Sequence, residues 1–201
     1  MSRITFETLR ERLRERPPRR IADPAAAEAA VALILTPRAE DLQALFIRRA
    51  EMPGDPWSGQ MALPGGRRDP ADPDLRATAL RETQEETGIT LTGGTELGVL
   101  DDFAPRAQAL PRIVVRPYVF GLTEQPPVTL SAEAAYHVWI PMSELRRGYS
   151  SAEVDARGTR MVMPAFVVGP HVIWGLTERI LAPFIELYFQ VSTHGSNQPN
   201  G

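Results

Sequence analysis

Arg81, Glu82, Glu85 and Glu86 set ionisable side chains in strict order along one short stretch of the sequence. They close the stretch Gly65–Ile89, GGRRDPADPDLRATALRETQEETGI. On a helix the glutamates fall at i, i+3 and i+4, so all three carboxylates project from one face. As a plain solvated surface this arrangement is poorly made. Like charges four residues apart destabilise a helix by roughly 0.2–0.5 kcal/mol. Anions in the last turn also oppose the helix dipole, by roughly 0.3–1 kcal/mol each. A bound divalent cation reverses the sign of both penalties, because carboxylate oxygens are the ligands that Mg2+ and Mn2+ prefer. Arg81, four residues before Glu85, is placed to hold that carboxylate. The segment therefore reads as a divalent-metal site suited to a phosphoanhydride, with Glu82, Glu85 and Glu86 as ligands.

The element that must carry these groups has its own signals. Asp72 is expected as the helix N-cap, with Pro73 at the first helical position and Asp74 in the first turn. Gly88 suits the left-handed position that ends the helix. Leu75, Thr78 and Ala79 share the acidic face a turn or two earlier, and small Thr78 and Ala79 are expected to leave room for a ligand.

Upstream, Thr5–Arg16 has the spacing of a packing helix, with Phe6, Leu9 and Leu13 on one side and Pro17-Pro18 ending it. Arg19 and Arg20 read as part of its solvated basic end rather than as phosphate contacts. Ala29–Thr36 and Leu42–Arg48 predict two strands around a turn, and Arg49–Leu63 mostly loop. Glu96–Phe103 and Ile113–Leu122 predict further strands, the second with Pro117 inside and hence an edge or a bulge. A short strand over Tyr136–Ile140, a small helix over Met142–Arg147 and a hairpin over Arg160–Trp174 follow. A last helix spans Leu176–Val191, with a kink expected at Pro183. The pattern gives an α/β protein of α+β type, a mixed β-sheet sandwiched between α-helices. Its expected parts are a helix and Pro-rich linker over residues 1–26, one catalytic domain over 27–191 and a disordered tail over 192–201.

Composition narrows the chemistry. The chain has 201 residues, a formal charge of −3 and no cysteine. Thiolate catalysis, disulfides and Cys-ligated metals are excluded, and no overall basicity argues for nucleic acid. No run approaches a membrane span and the Met1 end lacks a signal-peptide core, so the expectation is a cytoplasmic protein that binds neither nucleic acid nor membrane, with a homodimer as its possible assembly. His137, His171 and His194 show no ligand spacing.

In order, Gly66, Asp72, Arg81-Glu82, Glu85-Glu86, Gly88 and Ile89 resemble the Nudix box, G-x5-E-x7-R-E-U-x-E-E-x-G-U with U aliphatic. Thr83 stands at an aliphatic position, Asp72 stands where the box has Glu, and one extra residue precedes Arg81. Arg48-Arg49-Ala50, Gly59 and Leu63-Pro64-Gly65-Gly66 are similar to the upstream motif of the coenzyme A pyrophosphatases in that family. Leu63 replaces a Phe there, and no Arg occurs between Arg49 and Gly59, where Asp55 is a charged residue. Ile173–Leu181 (IWGLTERIL) is similar to a further segment of the group.

The resemblance implies metal-dependent hydrolysis of a nucleoside diphosphate derivative, a small-molecule nucleotide substrate, with Mg2+ or Mn2+ as cofactor. It implies Glu82 and Glu86 as principal metal ligands, with Glu85 sharing a second ion or orienting water, and main-chain oxygen of Gly65 or Gly66 completing the shell. Arg49, Gly59 and Gly65 carry over as substrate-binding positions. The general base is either a box glutamate or a distant acid, for which Glu133 is the candidate. Trp57 and Trp174 read as packing residues first and as stacking platforms second. Coenzyme A or acyl-CoA leads as substrate, with ADP-ribose, NADH or a nucleoside triphosphate as alternatives and a non-catalytic binding module as the competing class.

Overall fold

The computed structural model describes residues 5–55, 57–92, 95–105, 111–156 and 158–194, with residues 191–194 described by backbone alone. Its centre is β1 (Ala27–Arg38), whose side chains alternate between two cores. Ala29, Leu33 and Leu35 face one cluster, while Ala30, Ala32 and Ile34 face the other. This is the period-2 alternation of a strand buried on both sides.

β1 pairs in parallel with β6 (Ile113–Gly121) along one edge, and antiparallel with β2 (Asp41–Arg49) along the far half of the other. β6 carries β5 (Glu96–Val99) at the sheet margin, and β7 (Ala134–Pro141) pairs with the outer edge of β2. Beyond Leu35–Ala44 the two hairpin strands separate. β3 (Met61–Ala62) pairs with β2 and β4 (Gly65–Arg67) pairs with β1 at Ala29–Val31, so both lie in the opening. The sheet is thus split where the glycines enter it.

One face of the sheet is covered by α2 (Leu75–Thr87), through Leu75 and Ala79. The other is covered by α1 (Phe6–Glu15) and α4 (Gly175–His194), through Leu9, Leu13, Ile180, Leu181, Phe184 and Tyr188. The expected mixed sheet between helices is the observed architecture. α3 (Met142–Arg147) follows β7, and β8 (Tyr149–Asp155), β9 (Arg160–Val168) and β10 (His171–Trp174) form a separate three-stranded antiparallel sheet.

Three local expectations are corrected. β6 is an inner strand, not an edge. Pro117 is tolerated because its carbonyl, and therefore its nitrogen, faces the region where β5 has ended: that carbonyl accepts from Leu100 N–H at 2.9 Å. β8 was not foreseen, since Tyr149–Asp155 buries only Val154 and so carries no alternating apolar signal. α4 continues through Pro183 and on to His194, so residues 192–194 are helical where a tail was expected. The remainder of that tail lies outside the described residues. Among the described residues, no helix is long and apolar enough to cross a membrane.

The linker after α1 is fixed by acids rather than left as a basic surface. Arg16 and Arg19 both hold Asp101, at 2.8 and 2.9 Å. Asp102 Oδ1 accepts from Arg20 at 3.0 Å and Arg116 Nε at 2.8 Å, and its Oδ2 accepts from Arg116 Nη2 at 2.9 Å and Ile21 N–H at 3.1 Å. Burial pushes the Asp102 carboxyl upward in pKa, but the Arg116 hydrogen bonds, the Ile21 N–H and the two guanidinium charges outweigh it and hold it below the ordinary value. A depressed carboxylate stabilises the fold above its unfolded pKa and loses that contribution as pH falls through the folded one. Asp102→Asn is therefore expected to lower Tm at pH 7 by roughly 5–15 °C, as removal of one partner of a buried ion pair does. The gap should narrow as pH falls below the ordinary carboxylate range. Thermal melts of both proteins from pH 3 to 8 measure this, and an equal Tm at pH 7 would refute the role.

Candidate active site

α2 starts two residues later than the sequence suggested. Its N-cap is Asp74, whose Oδ1 accepts Ala77 N–H at 2.8 Å, and Pro73 lies before the cap. Gly88 closes the helix in the left-handed conformation at φ 70°, its N–H bonding Gln84 O at 2.9 Å, as expected.

Asp72 is released from capping and buried elsewhere. It accepts from Arg81 Nη2 at 2.9 Å and Nε at 3.1 Å, from Thr78 Oγ1 at 2.9 Å and from Asp69 N–H at 3.0 Å. The Arg81 hydrogen bonds lead in holding its carboxyl far below the usual range, against the burial that raises it. The same Arg81 donates to Glu82 at 3.0 Å, to Glu85 at 2.9 Å and to the Arg67 carbonyl at 3.2 Å. The expected Arg81–Glu85 contact is present, as one of four.

Thr78 and Ala79 do not flank the acids with free space. Ala79 packs against the small Ala30 and Ala32 of β1, and Thr78 is committed to Asp72. Their smallness serves close approach of helix to sheet. Leu75, Ala79, Glu82 and Glu86 form one stripe, apolar where α2 lies on the sheet and acidic where it passes the split.

At the split, the two glycines have different reasons to be glycine. A Cβ on Gly65, at φ 148°, would lie 2.3 Å from Ala30 O, and a Cβ on Gly66 would lie 2.5 Å from the Glu82 carboxyl carbon. Gly65 N–H donates to Glu86 Oε2 at 2.8 Å, so in this structure it is the amide of Gly65 that meets the acids. Glu86 is only 3% exposed, and burial pushes its pKa to about 7 despite the Gly65 N–H and Arg49; the charges of Glu82 and Glu133 push the same way. Glu82 is likewise raised, first by burial, against Arg81. Glu85 stays largely in solvent.

A cavity of about 530 Å3 opens over these groups, a size suited to a nucleotide derivative. Glu82, Glu85, Glu86, Glu133, Arg49, Gly65 and Gly66 all line it. Gly59 does not; at φ 66° it turns its loop beside Arg48 and Glu51. Glu133 is exposed, and its carbonyl accepts Ala50 N–H at 2.8 Å, which fixes the start of β7 beside the end of β2.

Arg49 is engaged by Asp55 at 2.9 Å and stands 4.0 Å from Glu86. Sequence reasoning assigned no role to Asp55, Arg67, Leu176, Thr177 or Ile180, which also line the cavity. Ile173–Leu181 was the signal for the last three. Thr177 bonds Met61 O at 3.1 Å and so sets the first turn of α4 against β3. Trp57 lines the cavity, whereas Trp174 does not. Among the cavity-lining residues there is no histidine.

The donor set fits a hard divalent cation: it is all carboxylate oxygen, and it includes a buried acid whose charge the protein itself does not fully offset. Among the described residues, no three acid or imidazole groups are already closed on one point. Glu82 and Glu85 turn to Arg81, and Glu86 turns to Gly65.

A model of the NUDIX domain matches residues 27–161. The human mitochondrial coenzyme A diphosphatase NUDT8 is 33% identical over 150 residues, covering 70% of this chain and 59% of that protein. The chain thus spans about three-fifths of the length of that relative. A Nudix hydrolase, NudL, of Photorhabdus laumondii is 31% identical over 172 residues, 82% of this chain and 86% of that one. The crystal structure of a MutT/nudix family protein from Enterococcus faecalis superposes with a TM-score of 0.59 at 18% identity, over 90% of this chain and 66% of that one. At that identity it shows a shared fold.

The raised pKa of Glu86 has a consequence without any metal. A carboxyl whose folded pKa lies above its unfolded value costs stability when ionised, a cost complete above about pH 7 and relieved as pH falls. In EDTA, Glu86→Gln is expected to raise Tm at pH 8 by roughly 5 °C, with a smaller gain at pH 5. Differential scanning fluorimetry at both pH values reads this, and a Tm lowered equally at both would contradict it.

Proposed function

The chain belongs to the Nudix family, and from that premise we propose that it is a metal-dependent pyrophosphohydrolase whose substrate is coenzyme A or an acyl-CoA. The products are phosphopantetheine, or its acylated form, and adenosine 3′,5′-bisphosphate. One observation carries the hydrolase reading: α2 delivers Glu82, Glu85 and Glu86 to one cavity, where burial pushes the pKa of the most buried of them up to about 7. A module that only bound its ligand would have no use for that carboxylate cluster.

Glu82 and Glu86, with main-chain oxygen of Gly65 or Gly66, are the groups that would hold the ion, and Glu85 would share a second ion or orient water. When bound, a divalent ion neutralises the anhydride and makes a water more acidic. Arg81 acts behind the acids: by gripping Asp72, Glu82 and Glu85 together it fixes the helix against the glycine turn. Arg49, within 4.0 Å of Glu86, balances phosphate charge beside the acids. The proton of the attacking water goes to Glu133 or to a box glutamate, the water oxygen bonds to phosphorus, and the bridging P–O bond breaks. Gly59 acts only through the loop it turns.

The substrate assignment leans on the relatives' named activity and on Arg49-Ala50 at the cavity. Asp55, which takes up the Arg49 guanidinium where that group's motif has a second Arg, favours the competing reading of ADP-ribose, NADH or a nucleoside triphosphate.

A panel of these compounds with Mg2+ and Mn2+, in oxygen-18 water with products read by mass spectrometry, decides the substrate and the phosphorus attacked. Glu82→Gln and Glu86→Gln are each expected to lower kcat by about 10^2-fold or more with the fold retained. Glu133→Gln should do so only if Glu133 is the base, with loss of the acidic limb of the pH–rate profile. Full activity in either box variant would sink the metal assignment.

A further inference from the structure

Within the cavity, one chain of contacts leads away from the acids. Arg49 stands 4.0 Å from Glu86 and donates to Asp55 Oδ2 at 2.9 and 3.3 Å. The other oxygen of the same carboxylate, Oδ1, accepts the Trp57 N–H at 3.0 Å. The backbone around it closes a compact loop: Ser58 N–H bonds Asp55 O at 3.2 Å, Gln60 N–H bonds Trp57 O at 3.2 Å, and Arg49 N–H bonds Gln60 O at 3.0 Å. Among the described residues, Asp55 is thus the side chain that joins the β2 arginine to the backbone of the tryptophan. Trp57 is half-buried, packs against the main core and contributes to the cavity wall. Its neighbours in the lining include Val31, Val115, Leu176 and Ile180, an apolar surface with no charge to satisfy.

From the acids outward this chain runs through the Arg49 guanidinium and the Asp55 carboxylate to the main chain of Trp57, a residue of the cavity wall. It matches the order of reacting anhydride, flanking phosphate and planar base in a nucleoside diphosphate derivative. A flexible aliphatic arm gains little from an aromatic face, whereas every nucleobase has a π-face to stack on it. We propose that Trp57 is the wall against which the substrate's nucleobase stacks, and that Asp55 is a positioning residue that sets Trp57 there while holding Arg49 toward the phosphates. This rests on the reading of the cavity as a nucleotide site and adds which end of the substrate lies on the Arg49 side. It also gives Asp55 a purpose at the position where the related motif has an arginine.

The test uses the full chain in EDTA, so that nothing turns over, and reads intrinsic fluorescence from Trp57, Trp139 and Trp174. ADP should quench the wild type, while phosphopantetheine, which has phosphate but no base, should quench it little. Trp57→Phe should abolish the ADP response, and Trp57→Ala should weaken ADP binding about tenfold, the scale of one lost base–aromatic stack. Trp57→Tyr, which keeps an aromatic face, should bring calorimetric ADP affinity back near the wild-type value. Asp55→Ala should weaken binding by a similar factor, with Asp55→Asn, which keeps an acceptor for the Trp57 N–H, falling between.

In turnover with Mg2+, both positions should load their loss on KM rather than kcat, a split that general loosening of the fold would not give. Quenching that survives Trp57→Phe overturns the proposal, as does phosphopantetheine quenching as strongly as ADP. If a variant fails to fold by far-UV circular dichroism, the Tyr and Asn variants carry the same comparison. Hydrolysis without Trp57-dependent quenching would sink this inference alone. Quenching without hydrolysis of any pyrophosphate substrate would keep the base wall and sink the hydrolase reading.

Discussion

Everything at the candidate site depends on one guanidinium. Arg81 draws together Asp72 from the preceding loop, Glu82 and Glu85 from its own helix and the carbonyl of Arg67 from β4. Three carboxylates around one cation would repel one another without it, and the loop, the helix and the strand would have no common anchor. Because the centre is only partly exposed, these contacts are worth more than surface pairs, where solvent screening leaves little. The need to satisfy Arg81 also explains why Asp72 is not the helix cap. The two acids of its own helix take only Nη1 of this half-buried guanidinium, Asp72 accepts from Nε and Nη2, and Asp74 is free to cap in its place.

A second constraint is the split in the sheet. If β1 and β2 paired along their whole length, no opening would exist for Gly65 and Gly66, and α2 would end on a closed sheet. The separation lets β4 pair with β1 and bring its amides past the face that carries Glu86. The cost is a carboxylate removed from water, seen in the upward shift of Glu86. Such a cost is tolerated at sites that must later meet a cation, and the surrounding small residues, Ala30, Ala32 and Ala79, keep helix and sheet close enough to hold it.

Part of this was legible in the residues. The helix, its glycine stop, the three acids on one face, the β1–β2 hairpin, α3 and the β9–β10 hairpin all followed from periodicity and turn chemistry. Errors fell where a residue's local preference competes with a distant partner. Asp72 is as good a cap as Asp74 until Arg81 is placed. Thr78 and Ala79 look like space until β1 is laid against them. Pro117 argues for an edge until the end of β5 is seen beside it. Gly59, expected at the substrate, lies outside the cavity lining and turns its loop at a positive φ, and a positive φ and a ligand approach leave the same letter in the sequence.

The sequence by itself determined the chemistry: which side chains carry charge, which of them share a helix face, and the family whose box they resemble. Those properties are local, set within one or two helical turns. Only the tertiary structure decided how those charges are balanced and what stands opposite them. Glu86 became the buried acid, Glu85 stayed in solvent, Arg49 was taken by Asp55, and Trp57 rather than Trp174 reached the cavity. Burial and pairing depend on groups far apart in the chain meeting in space, and neither spacing nor residue type encodes that meeting.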